Sequence, residues 1–163
     1  MSDRAREDNE PDQAELQYRR ASVADVPEIT RARSLDSAPE PGDSRLAAYV
    51  EGTHHPQQAL ALRVVYVAVI GRSVAGYVAG HLSRRHACDG EVQYLWVAPQ
   101  HRRQGVATEL LRRLGGWFAE QRANRVCVNV AEDNVVARLF FRSCGAGDLE
   151  RHWLVWADIR GAA

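Results

Sequence analysis

The stretch EVQYLWVAPQHRRQGVATELL, residues 91–111, sets the tightest limit on what this chain can fold into. EVQYLWVA at 91–98 is an almost unbroken apolar run, rich in β-branched and aromatic residues. It predicts a strand covered on both faces. Pro99 ends it. From Val106 the spacing changes, and Val106, Leu110, Leu111, Leu114, Trp117 and Phe118 recur on one helical face to about Gln121. A doubly covered strand that feeds directly into an amphipathic helix belongs to an α/β sheet flanked by helices, not to a bundle or a sandwich.

The rest of the 163 residues fits one such domain. LQYRR at 16–20 reads as a first strand. Ser22 with Asp25 reads as a helix N-cap, and Val26, Ile29 and Ala32 continue at helical spacing. SAPEPGD at 37–43 is a loop, Arg45 to Glu51 a short helix, and His54-His55-Pro56 a break. RVVYVAVI at 63–70, the turn GRS and VAGYVAGHLS at 74–83 read as a hairpin, and CDG at 88–90 turns into the strand from Glu91. RVCVNV at 125–130 predicts a strand, Asn134 to Ser143 a helix, and HWLVWADI at 152–159 a closing strand. The order is βαα, a three-strand meander, then αβαβ. Residues 1–15 are polar and charged and predict a disordered tail ahead of a domain at 16–163.

Composition narrows the chemistry. All 21 basic residues are arginine. Without lysine, Schiff-base chemistry, pyridoxal phosphate attachment and the lysine-dependent nucleotide loop are excluded. Formal net charge is zero, so no global field draws in nucleic acid or an anionic membrane, and any anion site is local. Cys88, Cys127 and Cys144 are too widely spaced for a zinc or disulfide framework. His81, His86 and Cys88 match no standard zinc spacing, so no metal is expected. No GxSxG elbow is present, which disfavours a serine hydrolase. An apolar leader and any run of about 18 apolar residues are also lacking, which predicts a cytoplasmic protein.

RRQGVA at 102–107 sits where strand gives way to helix. A helix N-terminus leaves backbone N–H groups unpaired at the positive end of its dipole. Gly105 admits a ligand close to the backbone, and Arg102 and Arg103 add charge, which together suit a phosphate. The same hexapeptide also fits an ordinary turn with solvated arginines.

Its setting resembles a known family. Arg102-x-x-Gly105-x-Ala107, after YLWVAP and before an amphipathic helix, is similar to the acetyl-CoA signature of the GNAT superfamily of N-acetyltransferases. SVADVPEI resembles that family's first helix, and Gly76 lies where its third strand often carries glycine. Asn134-x-x-Ala137 with Phe140, Phe141 and Gly145 is similar to its second cofactor motif. The resemblance covers about residues 17–159. It implies a single-domain GNAT fold, a mixed central sheet whose fourth strand bulges and splays from the fifth.

In that fold pantetheine is expected along the backbone of Leu95 and Val97, with the Val97 N–H polarising the thioester carbonyl. The pyrophosphate is expected on the amides of Arg103, Gln104, Gly105, Val106 and Ala107, with Arg102 at the rim. Asn134, Ala137 and Phe141 would face acetyl-CoA from the last helix. The implied activity is acetyl transfer from acetyl-CoA to an amine by direct attack; the alternative is an acyl-CoA-binding regulatory module without catalysis. Glu91, eleven positions before Arg102, corresponds to a catalytic glutamate of some members, with Glu132 and Asp133 as rivals. The family's usual thiol-protonating tyrosine is replaced by Phe141, which has no proton to donate; Cys144 and Tyr94 are the substitutes at hand. The acceptor is unread. Homodimerisation through the C-terminal strand is a family habit.

Overall fold

The computed structural model describes residues 14–36 and 45–162. The 37–43 loop and nearly all of the expected tail lie outside the described residues. Seven strands form one sheet: β1 (Leu16–Arg20), β2 (Ala59–Ile70), β3 (Ser73–Ser83), β4 (Gly90–Val97), β5 (Val126–Asn129), β6 (Gly147–Glu150) and β7 (Trp153–Trp156). Their order is β1-β2-β3-β4-β5-β7-β6. The β4–β5 pair is parallel, and every other neighbouring pair is antiparallel. The helices are α1 (Val26–Ser34), α2 (Leu46–Glu51), α3 (Val106–Glu120) and α4 (Val135–Ser143).

The α3 stripe read from the sequence is the one that is buried. Leu110, Leu111, Leu114 and Phe118 have no exposed surface and pack with Val64, Val78, Val92 and Val97 on one face of the sheet. Each such side chain contributes about 1.5–3 kcal/mol on burial. The other face holds a second core: Val26, Ile29, Leu46 and Tyr49 from α1 and α2 against Val65, Val67, Tyr77 and Ala79. Before α1, Asp25 caps the chain turn by accepting from the Ser22 N–H at 2.8 Å and pairing with Arg19 at 2.7 Å.

Three elements depart from the expectation. The closing strand is half as long as HWLVWADI, because residues 159–161 leave the sheet as a 3-10 turn. β6 was not expected: GDLE has little strand propensity, and pairing with β7 at the sheet edge holds it extended. β2 also begins at Ala59, four residues before the apolar run, across an irregular register between Ala59 and Arg63.

The feature that makes the site is in β4. Gly80 pairs with Val92 but Ala79 pairs with Tyr94, so Gln93 is an extra residue, a β-bulge. Pairing of β4 with β5 stops at Val92 with Val128. Beyond that point the strands diverge, and the last five residues of β4 have a neighbour on the β3 side alone.

Candidate functional site

The diverging strands open onto a cleft of about 750 Å³. Its walls come from the unpaired end of β4, the loop and first turn of α3, and one face of α4. Ten of the twelve residues singled out in the sequence line it: Leu95, Val97, Arg102, Arg103, Gly105, Val106, Ala107, Asn134, Ala137 and Phe141. Gln104 and Glu91 do not.

Backbone polarity at the β4 edge follows from its pairing. The Ala98 N–H donates to Ala75 O on β3 at 2.8 Å. Backbone groups alternate along a strand, so those of Val97 and Leu95 point the other way, toward the cleft. The Val97 carbonyl bears this out, because it accepts from Arg102 Nε at 2.9 Å. The Val97 N–H and both backbone groups of Leu95 are thereby presented to the cleft with no β5 partner opposite.

At the far end, Gly105 is the N-cap of α3 with φ of 82° and no side chain capping the helix. The first helical bond runs from the Glu109 N–H to the Gly105 carbonyl, so the amides of the first turn have no intrahelical acceptor. Arg103 is also left-handed, with φ of 61°. Such alternation turns successive N–H groups toward one point, the backbone nest that suits an anion. A Cβ built at Gly105 meets no heavy atom within 4 Å, so its conformation, rather than crowding, calls for glycine.

The two arginines divide their roles. Arg102 is committed to the protein: besides Val97 O it pairs with Asp36 Oδ2 at 2.6 Å, and the same oxygen accepts from Trp96 Nε1 at 3.0 Å. These bonds hold the Asp36 carboxyl below its usual range, Trp96 contributing most. Arg103 has no side-chain partner among the described residues and is the free cation of the loop. Gln104 turns its amide back onto Gln100 O at 3.1 Å. Asn134 caps α4 by accepting from the Ala137 N–H at 3.2 Å, which leaves its amide donors available at the cleft wall.

Glu91 stands at the apex, one residue before the last β4–β5 pair, and is 5% exposed. Its Oε2 lies 3.5 Å from His81 Nε2 and 3.4 Å from Arg85 Nε. All three atoms are buried and none has a hydrogen-bond partner; each such group left unmet costs about 1–3 kcal/mol, which favours closing these contacts. His81 Nδ1 lies 3.0 Å from the Tyr49 hydroxyl. Glu91 thus sits on the α1/α2 side of the sheet, opposite the α3 side to which Leu95 and Val97 contribute their side chains. Glu132 is ion-paired with Arg151 at 3.0 Å, and neither it nor Asp133 lines the cleft.

Phe141 is buried against Trp156, ring centroids 5.6 Å apart, and no tyrosine lines the cleft among the described residues. Cys144 is buried, its thiol pushed up by desolvation. Tyr94 packs on the opposite face, with Tyr49 and Tyr77. Trp156 is core and donates to Cys144 O at 3.0 Å; Trp153 is half-buried beneath Arg85. The described residues hold no group of three or more His, Cys, Asp or Glu placed for a metal ion. None of their helices is long and apolar enough to cross a membrane.

Phe140, part of the second motif read in the sequence, also lines the cleft; sequence reasoning missed Trp96, His101, Thr108 and Val136, which line it too. Val136 was readable, lying four residues before Phe140 on the helix face that carries Ala137 and Phe141. His101 and Thr108 gave no signal beyond adjacency to the 102–107 motif.

Residues 29–146 match the family model described as the acetyltransferase (GNAT) family. Over 62 residues the chain is 34% identical to an aminoglycoside N(6')-acetyltransferase type 1 of Acinetobacter haemolyticus, a match spanning 38% of this chain and 43% of that protein. The chain therefore matches less than half the length of this curated relative. Among solved structures, the PaiA N-acetyltransferase of Thermoplasma acidophilum in complex with coenzyme A superposes with a TM-score of 0.66 at 11% identity, over 86% of this chain and 96% of that one. An aminoglycoside acetyltransferase from an uncultured soil metagenomic sample, in complex with sisomicin, gives 0.60 at 18% identity, over 83% and 90%. At these identities the two structures establish the shared fold.

Proposed function

We propose that the chain, which belongs to the acetyltransferase (GNAT) family, moves an acetyl group from acetyl-CoA to an amine by direct attack within a ternary complex. One observation carries this reading. A single cleft joins an uncapped helix N-terminus to the unpaired edge of β4, a strand whose divergence from β5 begins one residue past the buried carboxylate of Glu91. An anion cradle, a row of backbone donors and an acid–base group stand in the order that a diphosphate, a pantetheine arm and a thioester require.

The residues present fit acetyl-CoA, which supplies the activated acetyl thioester. Backbone amides from Arg103 to Ala107, with the free guanidinium of Arg103, take the diphosphate. Leu95 and Val97 hydrogen-bond the pantetheine amides as an added strand would, and the Val97 N–H faces the thioester oxygen. Asn134, Ala137 and Phe141 close the wall. An amine approaches from the α1/α2 side. Its nitrogen bonds to the carbonyl carbon as the C–S bond breaks, its proton passes to Glu91, and the sulfur leaves with the electron pair. An ammonium with pKa near 10 costs about 4 kcal/mol to deprotonate to the free amine at pH 7, so a base at the apex matters, contributing roughly 10²–10⁴-fold. We assign residues 16–163 to this one domain, ahead of a tail at 1–15. Three free, buried thiols suit a reducing, cytoplasmic setting.

Phe141 favours a second reading, a module that binds acyl-CoA without turnover. Measuring acetyl-CoA binding and then CoA release across polyamines, aminoglycosides and peptide N-termini separates the two. Release with at least one amine, reduced in Glu91→Gln, supports the transferase. Tight binding with no release from any of them supports the module, and no binding overturns both.

A further inference from the structure

Glu91 faces a chain of buried polar groups that the cleft does not use. His81 and Glu91 are direct cross-strand partners on β3 and β4, so both side chains emerge on the same face. His81 has no exposed surface, and Tyr49 has none either. A carboxylate oxygen can accept but not donate, so a bond across the 3.5 Å between His81 Nε2 and Glu91 Oε2 requires the proton on Nε2. The neutral ring then has a lone pair on Nδ1, and the group facing it at 3.0 Å is the Tyr49 hydroxyl. Burial pushes that hydroxyl up and keeps its proton in place to donate. Tyr49 is itself pinned. Arg63 lies over its ring at 4.8 Å and donates to its carbonyl at 3.2 Å.

Resting on the reading of Glu91 as the base, we propose that His81 is its positioning residue. The Tyr49 hydroxyl donates to His81 Nδ1, which fixes the Nε2–H tautomer, and Nε2–H donates to Glu91 Oε2. Arg85 faces the same oxygen from the β3–β4 connection. It is steadied by Gln57 O at 3.0 Å and by the Trp153 ring at 4.8 Å. His86 and Ala87, both left-handed, turn the chain directly after it. One oxygen of the carboxylate is thereby held by the protein, and the other is left to meet a proton from the amine.

The test uses Tyr49→Phe, His81→Gln and Glu91→Gln, singly and combined, with acetyl-CoA and with sisomicin and spermidine as probe amines. Tyr49→Phe removes one hydrogen bond and is expected to lower kcat about 3- to 10-fold. His81→Gln is expected to lower it further, both with KM for acetyl-CoA unchanged. In the Glu91→Gln background neither change lowers kcat again, because residues acting as a unit are not additive. Long-range ¹H–¹⁵N NMR of the histidine rings, which needs no acceptor, is expected to show His81 as the Nε2–H tautomer. That signal is expected to move in both Tyr49→Phe and Glu91→Gln. Full loss of rate in Glu91→Gln with wild-type rates in the other two overturns the positioning role alone. A wild-type rate in Glu91→Gln overturns the base reading instead. Losses that add in the double variants, or an Nδ1–H tautomer, reduce the trio to packing and overturn the proposal. If His81→Gln does not fold, Tyr49→Phe, which deletes one oxygen from an intact ring, carries the test.

Discussion

Charge at the α3 N-cap offers the sharpest trial of the diphosphate cradle. Gly105→Asn and Gly105→Asp replace glycine by two side chains of the same shape and different charge. Neither meets a clash at Cβ, since no heavy atom lies within 4 Å of that position. Both carry the strain of φ near 82°, about 1–2 kcal/mol for a side-chain-bearing residue and less for Asn and Asp, which tolerate this region. A carboxylate at the N-terminus of α3 recovers about 0.3–1 kcal/mol from the helix dipole. The two variants therefore melt within a few degrees of each other.

Their affinities for acetyl-CoA diverge. A carboxylate about 5 Å from a bound phosphate repels it by about 3 kcal/mol at an effective dielectric near 20, and by about 1 kcal/mol in water. The expected Asp-to-Asn ratio of dissociation constants is about 5- to 150-fold, measured by calorimetric titration at low ionic strength. It shrinks toward unity at 1 M salt, where the Debye length is about 3 Å. Acetyl-pantetheine, which lacks the diphosphate, binds both variants alike. Equal acetyl-CoA affinity in folded Asn and Asp variants would refute the cradle.

Other outcomes test the frame around it. Gly76→Ala drives a Cβ to 2.7 Å from Trp96 O on β4. It is expected to cost about 1–3 kcal/mol, or about 2–12 °C in Tm by scanning calorimetry, and to weaken acetyl-CoA binding by displacing the cleft edge. Phe141→Tyr puts a phenol where the cleft has none; a several-fold rise in kcat is expected if protonation of the leaving sulfur limits turnover, and an unchanged kcat assigns the limit elsewhere. For Asp36 the carboxyl is depressed in the folded protein. Its stabilisation is complete above its unfolded pKa near 3.9 and is lost as pH falls through the lower folded value. Asp36→Asn is therefore less stable than wild type at pH 7, and thermal melts of the two converge below about pH 4.

What the sequence disclosed follows from the range of the interactions. α3 was readable because its burial repeats every turn, and the Gly105 junction because φ, glycine and helix start are all local. β6 was not, since GDLE is extended by its neighbour β7 rather than by its own side chains. The fate of Arg102 depended on Asp36, 66 residues away, and no spacing announces such a pair. Glu91 could be placed on its strand but not in its surroundings. Its partner His81 follows from hairpin register alone, which the bulge shifts by one between Gly80 and Ala79.

Gln93 therefore does more than separate β4 from β5. Side chains alternate along a regular strand, so taking Gln93 up in a bulge exchanges the faces of everything after it relative to unbroken alternation. Because of it, Tyr94 and Trp96 join the α1/α2 side, while Leu95 and Val97 join the α3 side. The same sequence with Gln93 in regular register opposite Ala79, and no bulge, would carry its aromatic rings against α3. It would also turn the backbone of Leu95 and Val97 away from any arriving thioester. A single bulged residue thus gives the end of β4 two unlike linings, aliphatic toward α3 and aromatic toward α1 and α2.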